Sequence, residues 1–271
     1  MTSDRALGLR RAETAARAMN NRHGVRSPGD IRIEAFAAAR GIEIVEGGVI
    51  GAIARLCWGA RPTIRVSDAV TDIADRRWST GHELGHFVLE HPTDEIAPAC
   101  KHERPYRPPR PGNTRHFEAE ANVFTAEVLM PRVQLAARCE RATPSLEIAR
   151  VIAKEFTTPI AASAIRFVEI TPERCCVVYS HGGTVVWSVA SDSFDAKIER
   201  GTHLDPASVA HDYERLRKID ERPQPIPADA WLHTRKSVDL IEHSVVLPQS
   251  DGVLTLLWVP EIAAASLSTA V

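Results

Sequence analysis

The sequence predicts an α+β protein in three parts. A small antiparallel sheet with metal-binding helices comes first, a helix-turn-helix-like segment follows, and a small α+β domain with its own sheet completes the chain. Three observations carry that prediction. His82-Glu83-Leu84-Gly85-His86 spells H-E-x-x-H and runs straight into the apolar Phe87, Val88 and Leu89. Two short apolar stripes then each begin at a Thr-Pro pair, Thr143-Pro144 and Thr158-Pro159. From Arg174 onward the pattern switches to strand-like runs separated by Gly-rich turn signals.

The chain has 271 residues, enough for one large domain or two small ones with a buried core. A hydrophobic share of 44% and a charged share of 25% are those of a soluble globular protein. The formal net charge of -2 advertises neither nucleic acid nor an anionic membrane as a partner. No apolar run is long enough to span a bilayer, and Met1 to Arg11 lacks the apolar core of a signal peptide. Five irregularly spaced cysteines do not form a disulfide framework. The expected compartment is the cytoplasm.

Taken in order, Arg5 to Met19 reads as a helix that could be peripheral. Ser27 or Asp30 could cap a second helix running through Ala39 and closed by Gly41. Ile42–Val45, Ala52–Leu56 and Thr63–Val66 read as strands of the small sheet, with Gly47-Gly48 turning the chain. The metal helix should run from about Ile73 to Glu90 and stop before Pro92. Pro92 to Arg115 is a proline-rich, locally basic connection, which is either a loop rimming a cleft or a solvated insertion. Phe117, Ala121, Phe124 and Val128 recur at helical spacing, and Pro131 ends that helix. Ile148, Val151, Ile152 and Phe156 form one stripe, and Ile160, Ala164, Phe167 and Val168 the next. This helix pair offers only Arg166 as a basic residue on its second member, which speaks against direct nucleic-acid binding. Cys175–Tyr179 and Thr184–Val189 flank His181-Gly182-Gly183 as a hairpin, and Glu242–Leu247 and Val253–Val259 form another. One helix falls near Pro206 to Arg217.

The chemistry lies in the H-E-x-x-H helix. Positions four apart share a helical face, so His82 and His86 can point two imidazoles at one ion. Glu83 follows the first of them, where its carboxylate can act as base toward a water that the ion acidifies to a pKa near ~7. A catalytic zinc needs a third protein ligand. The pattern H-E-x-x-H-x-x-G-x-x-H is excluded, because Leu89 and Pro92 stand where it needs Gly and His. A glutamate from the later helix is the alternative. Glu118 could bind the ion while Asn122, one turn on, holds a ligating histidine by a hydrogen bond. Glu120 is the rival, and it lies about 200° round the helix from Glu118. The small Ala121 on the Glu118 side would let the two helices approach and favours Glu118. His91, His102 and His116 read as solvated loop residues, with the alternative that one of them lines the site as a transition-state donor. Cys100 reads as a free thiol, with a reversible fourth ligand that blocks the site as the alternative.

Two stretches together carry a resemblance. Trp78-Ser79-Thr80-Gly81-His82-Glu83-Leu84-Gly85-His86-Phe87 is followed by Glu118-Ala119-Glu120-Ala121-Asn122-Val123-Phe124-Thr125-Ala126-Glu127-Val128-Leu129-Met130-Pro131. The pair resembles the signature of the ImmA/IrrE family of metallo-endopeptidases in its longer, IrrE-like architecture. Gly81 and Thr125 stand where many members have alanine. The resemblance implies a zincin-like peptidase domain over 1–135, a helix-turn-helix-like segment over 136–172 and a GAF-like sensor or regulatory domain over 173–271. It implies Zn2+ on His82, His86 and Glu118, with Glu83 as the catalytic base. It also implies that the substrate is a helix-turn-helix repressor of the XRE type, whose cleavage releases genes of stress response or mobile elements. The C-terminal domain could take a small-molecule ligand. The competing expectation is a DNA-binding transcription regulator with a structural or vestigial metal site; the intact Glu83 argues against it, since a closed structural site needs no base.

Overall fold

The computed structural model describes residues 3–49, 52–92, 115–232 and 239–260. The proline-rich connection, with Cys100 and His102, falls outside the described residues. The chain divides into two compact units, one of Met1–Leu135 with Ile152–Ala162 and one of Ala136–Val151 with Ser163–Val271. Both are mixed α and β.

In the first unit, helix α1 (Ser3–Arg22) packs along α4 (Arg115–Leu129). The expectation of a peripheral helix is corrected here. Ala12, Ala16 and Met19 are buried, and Asn20 Nδ2 donates to Glu127 O at 3.1 Å. Small alanines on one face let α1 lie close against its neighbour, and Arg17 at the rim of that face bonds to Glu127 at 3.1 Å. A short 3-10 turn (Pro28–Asp30) leads into α2 (Ile33–Ala38), which buries Ile33 and Phe36 and ends near Gly41 at φ 73°.

Strands β1 (Glu43–Glu46), β2 (Ala54–Cys57) and β3 (Thr63–Val66) form a sheet in the order β1-β3-β2. The sheet is mixed, not antiparallel as the sequence suggests. Strand β2 is antiparallel to β3, but β1 runs parallel to β3. Strand β3 lies between its two predecessors in the sheet. Ile64 on the central strand is fully buried. Strand β2 is left at an edge beside α3 (Ile73–Val88).

Helix α5 (Arg132–Cys139) was not legible in the sequence. It is followed by α6 (Leu146–Phe156) and α7 (Ile160–Ile170). The buried stripe of α6 is Leu146, Ala149, Ile152 and Phe156, whereas Val151 is exposed. Ala149 carries the stripe in place of Val151. Thr157 adopts φ 52°, and Thr158 N donates to Ala153 O at 3.0 Å, closing the helix end before Pro159 opens α7.

The second unit holds a five-stranded antiparallel sheet in the order β5-β4-β8-β7-β6. Its members are β4 (Cys175–His181), β5 (Thr184–Ala190), β6 (Gln224–Pro227), β7 (Asp239–Leu247) and β8 (Gly252–Trp258). Both expected hairpins are present, with Gly182 and Gly183 at positive φ in the first turn and Asp251 in the second. Strand β6 escaped the sequence reading because Pro225 and Pro227 look like breakers. At a sheet edge, prolines are tolerated. Val178, Val185, Phe194, Tyr213, Leu240 and Leu257 share one core with α8 (Val209–Leu216). The buried Glu242 carboxylate accepts from Val209 N at 3.1 Å, Ala210 N at 2.8 Å, Trp231 Nε1 at 2.7 Å and Ser244 Oγ at 2.7 Å. It thus ties the N-terminus of α8 to strand β7, where orphan amides and the helix dipole favour an anion.

Candidate metal centre

Helix α3 begins at Asp72, whose side chain accepts from Asp75 N at 3.0 Å. Every residue from Trp78 to His86 is buried. Such a helix needs small residues where a neighbour crosses it. A Cβ on Gly85 would stand 3.3 Å from the backbone of Ala121 and 3.0 Å from Phe124, and one on Gly81 would stand 3.0 Å from Thr125. Glycine at 85 therefore allows α3 and α4 to approach, and that approach sets the distance between their polar side chains.

The approach brings together residues from both helices. His82 Nε2 and His86 Nε2 lie 2.9 Å apart. Glu118 Oε2 is 3.2 Å from the first and Glu118 Oε1 is 3.3 Å from the second. Ligand atoms of all three lie within 4.8 Å of one another. Asn122 Oδ1 sits 2.9 Å from His82 Nδ1. A carbonyl oxygen only accepts, so His82 carries a proton on Nδ1, and Nε2 faces the cluster, where it can hold a second proton or give its lone pair to a cation. Two imidazole nitrogens and a carboxylate converging in a buried space form the donor set of a borderline divalent cation such as zinc, and the residues fit that ion.

The electrostatics agree with that fit. Burial works against charge on His82, yet hydrogen bonding and the charge of Glu118 hold its pKa above the ordinary value. Burial pushes His86 down to about 4, against the pull of Glu118. Burial also opposes the Glu118 charge, but hydrogen bonds from both histidines keep its pKa well below the usual carboxylate range. The anionic carboxylate is therefore matched to positive charge placed between the histidines.

Glu83 is buried on the same helix and faces the sheet. Its Oε2 accepts from Leu56 N at 2.7 Å, on edge strand β2. Its charge reaches both histidines and raises their proton affinity. One turn further along α3, Phe87 stacks on the half-exposed Trp58 just after β2, with ring centroids 5.1 Å apart.

One residue lies elsewhere than the sequence reading put it. His91 is not a solvated loop residue. It is 3% exposed, its Nδ1 is 2.8 Å from His86 Nδ1, and its ring packs 4.7 Å from that of Phe117. Glu120, the rival for the ion, instead lies with Oε2 3.3 Å from His91 Nε2. The signal available in the sequence was His91-Pro92. A residue before proline is pushed out of helical geometry, so the chain turns off the helix axis at this point. His116 is exposed.

Residues 39–167 match the model of the IrrE N-terminal-like domain, the M78 peptidases. That match, over just under half of the chain, supports the resemblance to the ImmA/IrrE family. This is a metallopeptidase-type family, and the cluster on α3 and α4 is compatible with a metal ion. The solved structure of a Mycobacterium tuberculosis transcriptional regulator superposes with a TM-score of 0.64 at 15% identity, covering 95% of this chain and 78% of that one. At that identity the likeness concerns the fold. No curated protein matches the chain. No described helix is long and apolar enough to cross a membrane.

Proposed function

We propose that this protein is an ImmA/IrrE-type zinc-dependent endopeptidase of zincin-like architecture that cleaves a cognate XRE-type helix-turn-helix repressor and so derepresses stress-response or mobile-element genes in the cytoplasm. The observation that carries the reading is the convergence of His82, His86 and Glu118 on one buried space, with the Glu83 carboxylate beside it. His82, His86 and Glu118 would hold the ion, and Asn122 orients His82. A zinc ion in that position supplies Lewis acidity toward a carbonyl and toward water. Glu83 takes the proton from the attacking water and returns it to the leaving amine. Its hydrogen bond from Leu56 N fixes the carboxylate plane at the edge of β2. That edge is where an extended substrate segment would add as a strand.

The repressor as substrate rests on the family resemblance, and a structural neighbour that is a transcriptional regulator is in keeping with such a role. Residues 173–271 would serve as the sensor or regulatory domain. The alternative of direct DNA binding loses support at Arg166, which is 5% exposed and paired with Glu169 at 3.4 Å. The test combines the purified protein with the helix-turn-helix repressor encoded beside its gene. A single cut that a chelator abolishes, stoichiometric zinc in the wild type and its loss in Glu118→Ala are the expected outcomes. Cleavage of unrelated denatured proteins at many sites, as fast as of any repressor, would make this a general peptidase. Tight operator binding with normal regulation by Glu83→Gln in cells would favour the DNA-binding reading.

A further inference from the structure

We propose that Glu120 and His91 form a hydrogen-bond relay that locks His86 in its Nδ1–H tautomer and so aims the His86 Nε2 lone pair at His82 and Glu118. The inference rests on the reading of that cluster as a metal site, and it assigns two positioning residues that neither the H-E-x-x-H pattern nor the third ligand includes.

The direction of the relay follows from which groups can donate. An ionised Glu120 is an acceptor only, so His91 must donate to it from Nε2, across 3.3 Å. A neutral His91 that has its proton on Nε2 presents a bare Nδ1. That atom faces His86 Nδ1 at 2.8 Å, so His86 must donate there. His86 Nε2 is then the lone-pair atom, and it is the atom that faces His82 Nε2 at 2.9 Å and Glu118 Oε1 at 3.3 Å. The opposite assignment would set the His91 Nε2 lone pair against a carboxylate and turn a proton of His86 toward the cluster. A histidine in water favours the Nε2–H tautomer, so the Nδ1–H form needs an acceptor built for it. Asn122 is that acceptor for His82, and His91 backed by Glu120 is that acceptor for His86.

The backbone around His91 is shaped for this contact. Helix α3 ends with His91 N donating to His86 O at 3.1 Å and Glu90 N donating to Phe87 O at 3.2 Å. This is the doubly bonded helix stop in which the residue after the cap turns left-handed, a position usually given to glycine. Here it is Glu90, at φ 56°. A non-glycine residue in that region costs about 1 kcal/mol, so the turn is held by what it delivers. It delivers His91 beneath His86. Pro92 then keeps the chain from continuing as helix. Glu120 is held from the far side by α1: a Cβ on Gly8 would run into its carboxylate, so the glycine leaves room for it. His91 and Glu120 side chains are 1% and 9% exposed, which leaves water little access to substitute for either partner.

The test uses the full chain with two readouts. The first is the tautomer of His86 in metal-free protein, read from long-range nitrogen–proton couplings in an imidazole-labelled sample. The second is zinc affinity by competition with a chromophoric chelator. Wild type should show His86 as Nδ1–H. Glu120→Leu and His91→Ala should shift it toward Nε2–H and weaken zinc binding about 10–100-fold, the usual effect of removing such a partner. Glu120→Gln retains an acceptor oxygen and should recover most of the affinity. It also serves as the measurement if either larger change impairs folding. Unchanged tautomer and unchanged affinity in folded Glu120→Leu and His91→Ala would overturn the relay while leaving the metal reading intact. A wild type with the expected tautomer but no zinc affinity would overturn the metal reading and leave the relay standing.

Discussion

The two units treat buried carboxylates in opposite ways. In the second, Glu242 collects two helix amides, an indole N–H and a hydroxyl, all between 2.7 and 3.1 Å. Its acceptor capacity is spent on neutral donors, and burial still pushes its pKa up. In the first, Glu118 faces two imidazole nitrogens, and against burial their hydrogen bonds and positive charge drive its pKa down. The contrast separates two uses of the same group. A carboxylate saturated with fixed N–H and O–H donors is a structural tie. A carboxylate that converges with imidazole nitrogens is matched to positive charge, a proton or a metal ion, and marks a site for chemistry.

The largest test of that contrast is Glu83→Gln. It keeps the size and the acceptor toward Leu56 N but removes the base. Turnover on a cleaved repressor should fall about 10²–10⁴-fold, while zinc content and thermal stability stay at wild-type levels. Near-normal turnover would assign the water-activating role to another group.

Next comes Glu242→Ala, which leaves four buried donors without their acceptor. Unfolding of the second unit, followed by tryptophan fluorescence in denaturant, should lose about 3 kcal/mol, with zinc stoichiometry unchanged. Loss of zinc in the folded variant would erase the distinction between the two carboxylates. The same residue gives a pH signature. Its folded pKa is raised, so the folded state binds this proton more tightly than the unfolded one. That contribution to stability is full below about 4.5 and is lost as pH rises through the folded value. The unfolding free energy of wild type minus that of Glu242→Gln should therefore decline as pH rises above about 4.5. A flat difference would show that the donors offset burial completely.

The smallest expected effect is at the helix crossing. Gly85→Val forces α3 away from Ala121 and should destabilise the first unit by about 1–3 kcal/mol, weakening zinc binding with it. Unchanged zinc affinity would mean that the Glu118 side chain, not the helix spacing, absorbs the shift.

Much of this was legible because it is local. The H-E-x-x-H spacing puts His82 and His86 on one helical face, and Glu118 with Asn122 on another, by helix geometry alone. Hairpin turns announced themselves through His181-Gly182-Gly183 and Gln249-Ser250-Asp251-Gly252. The 200° separation of Glu118 and Glu120 was likewise readable, and in the structure the two carboxylates address different histidines. Periodicity and turn chemistry are properties of a few consecutive residues, so the sequence by itself determined these elements and the faces they share.

Only the tertiary structure decided what reaches across. Strand β1 is parallel to β3 because β3 inserts late between two earlier strands, and no pattern within a strand encodes its neighbour. Leu56 N meets Glu83, and His91 meets Glu120, across 27 and 29 positions of chain. A backbone amide carries no side-chain signature, and the proline after His91 signals a helix stop without naming the partners that packing gives the histidine. These contacts depend on where α3, α4 and β2 come to rest, and the close approach at Gly85 and Ala121 sets that position for the two helices.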